Sequence, residues 1–340
     1  MPVISAPQEF NVDDLYVDLQ WISGRPLYLK CEGFNFAGSI KLKAAAEMIA
    51  MAERSGELHP GDMLVESSSG NMGVAISLLA SSKGYRFTCV TDSRCTLGAR
   101  RLMEALGTEV HVITEPHPQE GLLGARIQHV QRLVADRAGH VWLNQYFNPG
   151  NWLAHFQTTG PEVLKSFPEL DVMFVGAGTT GTLMGTARYL RQAKPSVRIV
   201  AIDSVGSVTF GTPPGPRSIP GLGTGVRPQI LDESYVDDVV HVAETDTLRV
   251  CRSLADRGFL FGGSTGTVVS GALHWLDERG GGDGLTAVAI APDLGDRYLD
   301  TIYNDQWVEE IYGTGVLDAG PHGHAPEHPG APSLLSRGTP

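Results

Sequence analysis

The sequence predicts two α/β domains, each built on a parallel sheet with flanking helices, with a ligand cleft between them. Three observations lead there. Strand-length apolar runs alternate with helix-period segments over residues 41–135 and again from Val172 onward. Turns rich in glycine and hydroxyls stand between strand and helix in both halves, where such folds bind ligands. The chain has 340 residues, 42% of them hydrophobic and 19% charged, enough for two cores in a globular protein.

The elements follow in order. Lys41 to Ser55 carries Ala45, Met48, Ile49, Met51 and Ala52 at helical spacing, with Ser39 placed as its cap. Met63 to Val65 reads as a strand. Asn71 to Ser82 is then an apolar helix, opened by Ser68-Ser69-Gly70-Asn71. Arg86 to Thr91 is a strand, Gly98 to Leu106 a helix, Glu109 to Thr114 a strand and Gly121 to Ala135 a helix. An apolar strand runs into Asn144-Gln145-Tyr146, and Asn148-Pro149-Gly150 marks a crossing point between the halves. Beyond it come a strand (Val172 to Val175), a helix (Leu183 to Ala193), a strand (Arg198 to Ile202) and a late buried strand (Leu285 to Ala291). From Gly313 to Pro340 the chain is rich in Gly and Pro, carries His322, His324 and His328, and has no apolar period, so disorder is expected.

A net charge of −12 argues against nucleic acid and anionic membrane surfaces as partners, though a local cationic pocket could still hold an anionic substrate. No apolar stretch approaches the ~20 residues needed to span a bilayer, and residues 1–14 suggest no signal peptide. Cys31, Cys89, Cys95 and Cys251 show no metal-binding spacing, so we expect no metal and a reducing, cytoplasmic setting.

Four short stretches carry chemistry. Lys41 follows Gly38-Ser39 at a helix start, whose positive dipole end disfavours an ammonium and favours a nucleophilic amine. Lys43 competes with it, but lies about 200° further round the helix. Ser68, Ser69, Gly70 and Asn71 offer hydroxyls and free N–H groups suited to a carboxylate, and Gln145 adds an amide. Gly176-Ala177-Gly178-Thr179-Thr180-Gly181 satisfies the dinucleotide pattern GxGxxG, with Asp203 about where a ribose-binding acid belongs. Yet Thr179, Thr180 and Thr182 crowd the turn with hydroxyls, as a phosphate monoester would want. The loop alone leaves both readings open. Gly262-Gly263-Ser264-Thr265-Gly266 is a further small-residue turn before a helix, presenting Ser264.

Taken together, these residues resemble the cysteine synthase type of pyridoxal-phosphate-dependent β-replacement enzyme, with its tryptophan-synthase-like (fold type II) architecture. The resemblance runs from about Tyr28 to Tyr312 and assigns roles by position. It makes Lys41 the Schiff-base lysine and Gly178, Thr179, Thr180, Gly181 and Thr182 the holders of the pyridoxal 5'-phosphate phosphate. It puts Asn71 at the cofactor's ring oxygen, Ser264 beside the pyridine nitrogen, and Ser68, Ser69, Gly70 and Gln145 around the substrate carboxylate. Ile219 to Gly223 resembles the loop near the substrate amine. The expected division is a larger domain of residues 1–35 plus 146–312, a smaller, mobile domain of 36–145, and the tail.

Departures matter. The sequence reads Lys41-Leu42-Lys43 where cysteine synthases have KDR, Asn71-Met72 where they have Asn-Thr, and Arg25-Pro26-Leu27 for Thr-Pro-Leu. The runs Val141 to Tyr146, Gly206 to Gly211 and Pro292 to Asp300 look closer to the N-(2-amino-2-carboxyethyl)-L-glutamate synthase branch. That branch implies O-phospho-L-serine and L-glutamate as substrates, 2,3-diaminopropionate supply as the purpose, and a homodimer. A phosphorylated substrate requires a cation, for which Arg126 is the first candidate with Tyr146 beside it. Arg217 and Arg227 are the alternatives. Cysteine synthase or hydroxyamino-acid dehydratase activity, an NAD-dependent dehydrogenase and a non-catalytic regulator are the competing readings.

Overall fold

The computed structural model describes residues 3–20, 24, 26–135, 139–280 and 284–318. Arg25, His322, His324 and His328 lie outside the described residues.

Two sheets organise the chain. One has six strands: β1 (Tyr16–Asp18), β2 (Leu27–Cys31), β7 (Val172–Gly176), β8 (Arg198–Ser204), β9 (Asp238–Val242) and β10 (Ala287–Ala291), in the order β1-β2-β10-β7-β8-β9. The other has four: β3 (Met63–Ser67), β4 (Arg86–Asp92), β5 (Glu109–Ile113) and β6 (His140–Trp142), in the order β5-β4-β3-β6. All pairings are parallel except β1 with β2, so the larger sheet is mixed at one edge.

The strand positions follow from which faces are covered. A parallel strand flanked by helices on both sides must be apolar throughout. Residues Ala287 to Ala291 of β10 are all buried, and β10 is central. β5 and β9, with half-exposed residues along them, lie at edges.

The helices are α1 (Lys41–Ser55), α2 (Asn71–Lys83), α3 (Leu97–Ala105), α4 (Gly121–Ala135), α5 (Gly150–Gln157), α6 (Thr159–Ser166), α7 (Gly181–Ala193), α8 (Glu244–Ala255), α9 (Gly263–Glu278), α10 (Asp305–Tyr312) and α11 (Gly315–Asp318). α1 buries Leu42, Ala45, Met48, Ile49 and Ala52 in a cluster shared with Val74, Ile76 and Leu79 of α2. It stops at Gly56, whose φ of +74° supplies the left-handed turn that returns the last N–H to the helix carbonyls.

Three expectations need correction. Ser39 does not cap α1: the cap position is Ile40, in helical conformation, while Ser39 bridges to Asp293 and its hydroxyl is buried without a partner. Gly263 already belongs to α9, so Ser264 sits in the helix's first turn rather than in a turn before it. The segment after Gly313 is not structureless from its start. Gly315–Asp318 is helical, and Val316 and Leu317 pack against a cluster containing Ile219, Tyr298 and Ile302.

α5 and α7 pack so closely that Gly185 has no room for a side chain: a Cβ there would collide with the Trp152 carbonyl and the His155 Cβ. Gly185→Ala should therefore cost about 1–3 kcal/mol through overpacking. Equilibrium urea unfolding checks this, and an unchanged midpoint would mean that the two helices can separate freely.

Candidate active site

Four helices begin at one cleft between the sheets. Its volume is about 610 Å³, and its wall includes Lys41, Asn71, Gly181 and Ser264, each at or within two residues of a helix start. Such a volume accommodates a cofactor-sized ligand.

Lys41 and Lys43 are separated by their neighbours. Lys43 Nζ is 2.9 Å from Glu32 Oε1 and 2.7 Å from Glu162 Oε2, in a cluster that also neutralises the fully buried Lys30. Lys41 lines the cleft and has no ion pair among the described residues. Loss of hydration lowers its pKa to about 8, and the nearby Asp293 carboxylate opposes that shift. Only Lys41 combines a readily neutral amine with a place in the cleft wall.

The loop between β7 and α7 is built for a small anion. Thr180 adopts φ +63°, unusual for a residue with a side chain, and this turns its backbone at the helix start. The glycines allow close approach. A Cβ on Gly178 would lie 2.7 Å from the Gly221 carbonyl, and one on Gly181 would collide with Asn151. Thr179 Oγ1 accepts a hydrogen bond from Asn151 Nδ2 at 2.9 Å, Thr182 Oγ1 is 3.2 Å from His155 Nε2, and the buried Thr180 hydroxyl has no partner. A terminal phosphate at a helix N-terminus satisfies these orphaned donors. Asp203 does not suit the dinucleotide reading. It is buried, its Oδ1 accepts from Ser204 N at 2.8 Å, and it is not part of the cleft wall.

At the opposite helix start, Ser68 Oγ accepts from Gly70 N at 3.2 Å and Gly73 N at 2.9 Å, so its oxygen holds the turn. Ser69 and Gly70 line the cleft beside it. Asn71 is gripped from two sides: its Nδ2 donates to Asp293 Oδ2 at 3.2 Å, and its Oδ1 accepts from Arg297 Nη1 at 2.8 Å. Asp293 also accepts from Tyr298 Oη at 2.6 Å and from the Thr265 hydroxyl at 3.1 Å. Burial pushes the Asp293 carboxyl upward, and these donors hold it back. Gln145 is tied by its Nε2 to the Ser67 carbonyl at 2.8 Å, which leaves its side-chain oxygen for a ligand. Ser264 faces Gly221, where a Cβ would strike the serine hydroxyl.

The remaining wall brings three arginines together, with Glu120 as a carboxylate among them. Arg126 is not at a solvated edge: it is 3% exposed, lines the cleft, and has its Nε 3.1 Å from Asp92 Oδ2, with Nη1 unpartnered. Arg94 shares Asp92, at 2.8 Å. Arg217 also lines the cleft, and its buried Nη1 has no partner. Tyr146 lies among these charges, its pKa raised by burial. Arg227, by contrast, pairs with Glu233 outside the cleft wall. Sequence reasoning missed Arg94, Asp92, Asp293 and Arg297. Of these, only Asp293 and Arg297 stood in a run singled out from sequence.

The comparisons with known proteins agree with this geometry. Residues 16–293 match the family described as pyridoxal-phosphate dependent enzymes. The chain belongs to that family. This member is 39% identical, over 88% of its own length and 90% of the relative's, to an N-(2-amino-2-carboxyethyl)-L-glutamate synthase of Ralstonia nicotianae. Its structure resembles an O-acetylserine dependent cystathionine beta-synthase from Helicobacter pylori (TM-score 0.82, 27% identity, 89% of this chain and 100% of that one). It also resembles O-ureido-L-serine synthase (TM-score 0.80, 32% identity, 95% and 98%). The family member described here is thus a fold type II, pyridoxal-phosphate-dependent enzyme of the β-replacement kind. The dehydrogenase reading is withdrawn. Among the described residues no helix is long and apolar enough to cross a membrane.

With Lys41 lowered to about 8, its amine is neutral above that pH and protonated below it. Covalent capture of pyridoxal phosphate by the cofactor-stripped protein should accelerate with pH and level off above about 8. An ordinary lysine would level off near about 10.4. A stopped-flow pH series measures this, and a midpoint near the ordinary value would remove the desolvation effect.

Proposed function

We propose that this enzyme joins O-phospho-L-serine and L-glutamate, giving N-(2-amino-2-carboxyethyl)-L-glutamate and phosphate. The observation that carries the reading is the set of cations in the cleft wall: Arg94 and Arg126 share the single carboxylate of Asp92, Arg217 has a buried Nη1 without a partner among the described residues, and the exposed Glu120 is the carboxylate set against them in the wall. An acetyl ester needs no such excess of cation, whereas a leaving phosphate dianion does. The activity named for the Ralstonia relative supports the same choice.

The roles then follow. Lys41 would hold the cofactor's aldehyde and, when its amine is free, would be the base placed to take the proton from the substrate's α-carbon. Gly178, Thr179, Thr180, Gly181 and Thr182 hold the cofactor's phosphate, and Asn71, fixed by Asp293 and Arg297, faces its ring oxygen. Ser69, Gly70, Gln145 and the Ser68 hydroxyl proton hold the substrate carboxylate. Arg126 and Tyr146, with Arg94 and Arg217, receive the leaving phosphate. Bound pyridoxal phosphate supplies the electron sink for the carbanion. Ser264 offers its ring nitrogen a hydroxyl rather than a carboxylate, and a weaker sink favours elimination and replacement over transamination. The reaction would serve 2,3-diaminopropionate supply for a siderophore or peptide antibiotic, in a cytoplasmic homodimer.

Mass spectrometry of products formed from phosphoserine and glutamate together tests the overall reaction. Elimination without the coupled product would return the reading to a dehydratase. Lys41→Ala should abolish turnover, and after borohydride reduction the cofactor label should map to Lys41; a label on Lys43 overturns the assignment.

Thr182→Ala should weaken cofactor binding about tenfold, the loss of one hydrogen bond to a charged group of ~1.5–3 kcal/mol. Arg126→Ala should raise KM for phosphoserine by one to two orders of magnitude, about the same free energy, with the cofactor spectrum unchanged. An equal loss with O-acetylserine would assign Arg126 a structural role instead.

A further inference from the structure

α5 carries Asn151 and His155, one turn apart, and both side chains meet the threonine loop from behind. The direction of each hydrogen bond there can be worked out. Asn151 Nδ2 is 2.7 Å from the Gln145 carbonyl, which only accepts, so the amide is oriented with its NH2 toward both Gln145 and Thr179. Thr179 therefore accepts from Asn151 and keeps its own proton for the cleft.

The same reasoning runs further at His155. Lys43 Nζ, an ammonium that can only donate, reaches Thr159 Oγ1 at 3.5 Å after its two carboxylates. Thr159 Oγ1 lies 3.0 Å from His155 Nδ1, and among the described residues no other acceptor for its proton is recorded. With Thr159 donating, Nδ1 must accept, which places the imidazole hydrogen on Nε2. Nε2–H then donates to Thr182 Oγ1 at 3.2 Å, leaving the Thr182 proton directed into the cleft. His155 is fully buried, and desolvation, aided by Lys41 and Lys43, pushes its pKa well below the usual value, so one ring nitrogen is always bare.

We propose that Lys43, Thr159 and His155 form a one-way hydrogen-bond relay that fixes the Nε2–H tautomer of His155 and thereby presents Thr182 as a donor to the cofactor's phosphate. The three are positioning residues. Lys43 thus has a task on the same helix as Lys41, separate from the chemistry there. The proposal rests on the assignment of the threonine loop to the phosphate, and its test separates the two.

Thr159 is the residue to change, because the relay and simple packing predict opposite orders. Valine keeps the shape and removes the hydroxyl; serine keeps the hydroxyl and removes the methyl. Through the relay, Thr159→Val should weaken cofactor binding to the stripped enzyme about tenfold, and Thr159→Ser should leave it close to wild type. In the holoenzyme, 15N NMR of labelled histidine, with His155 identified by loss of its signal in His155→Gln, should show the proton on Nε2. Thr159→Val should move proton population to Nδ1, and the 31P resonance of the bound cofactor should shift with it. A wild-type proton on Nδ1, or a harmless valine with a harmful serine, overturns the relay while the loop assignment stands. Unchanged cofactor affinity in Thr182→Ala overturns the loop assignment itself.

Discussion

The N-termini of α1, α2, α7 and α9 open onto one cleft, so the positive ends of four helix dipoles act on whatever binds there. Anions are drawn to such a place, which is the common basis of the threonine cradle and the serine-lined turn, while burial lowers Lys41 by loss of hydration. Asp293 is one of the buried counterweights to that field, with Asp92 and Glu66. Asp293 touches Asn71, Thr265 and Tyr298, and through Asn71 it meets Arg297. It ties the start of α2, which follows the four-stranded sheet's β3, to the start of α9 and the end of β10 in the six-stranded sheet.

Much of this was readable from the sequence because burial writes itself into local pattern. Strands covered on both faces carry runs of buried apolar residues, so β3, β4, β7, β8 and β10 could be recognised within a few residues. α1, α2 and α4 showed helical period. β2 escaped because Lys30 sits inside it. A lysine reads as exposed, and here it is fully buried only because Glu32 and Glu162 meet it, one of them far away in the chain. β9 also escaped, although its half-exposed edge position matches that of β5, which was recognised.

The site divided along the same line. Lys41, Ser68 to Asn71 and Gly178 to Thr182 were legible because each is a local turn whose backbone demands glycine or hydroxyls. Arg94 and Asp92, at the end of β4 and in the turn after it, were not, since their meaning comes from Arg126 on α4. Ser39 shows the limit of local rules. A serine before a helix normally caps it, but the bridge from Ser39 to Asp293 across the sheets places the backbone elsewhere.

Gly223 lines the cleft, and its lack of a side chain bears on where Arg217 can sit. It adopts φ +71°, and a Cβ there would collide with the Arg217 guanidinium. The loop therefore has space for a side chain at 223 or for Arg217 in its present place, but not for both. The position of one cation in the cleft wall thus depends on a single glycine. A larger residue at 223 would strain the backbone at this φ and would force the Arg217 guanidinium to move from its present place. For anyone wishing to redirect the enzyme toward uncharged esters, this glycine is a target besides the arginines, because it acts on the place of Arg217 without dismantling the pairing around Asp92.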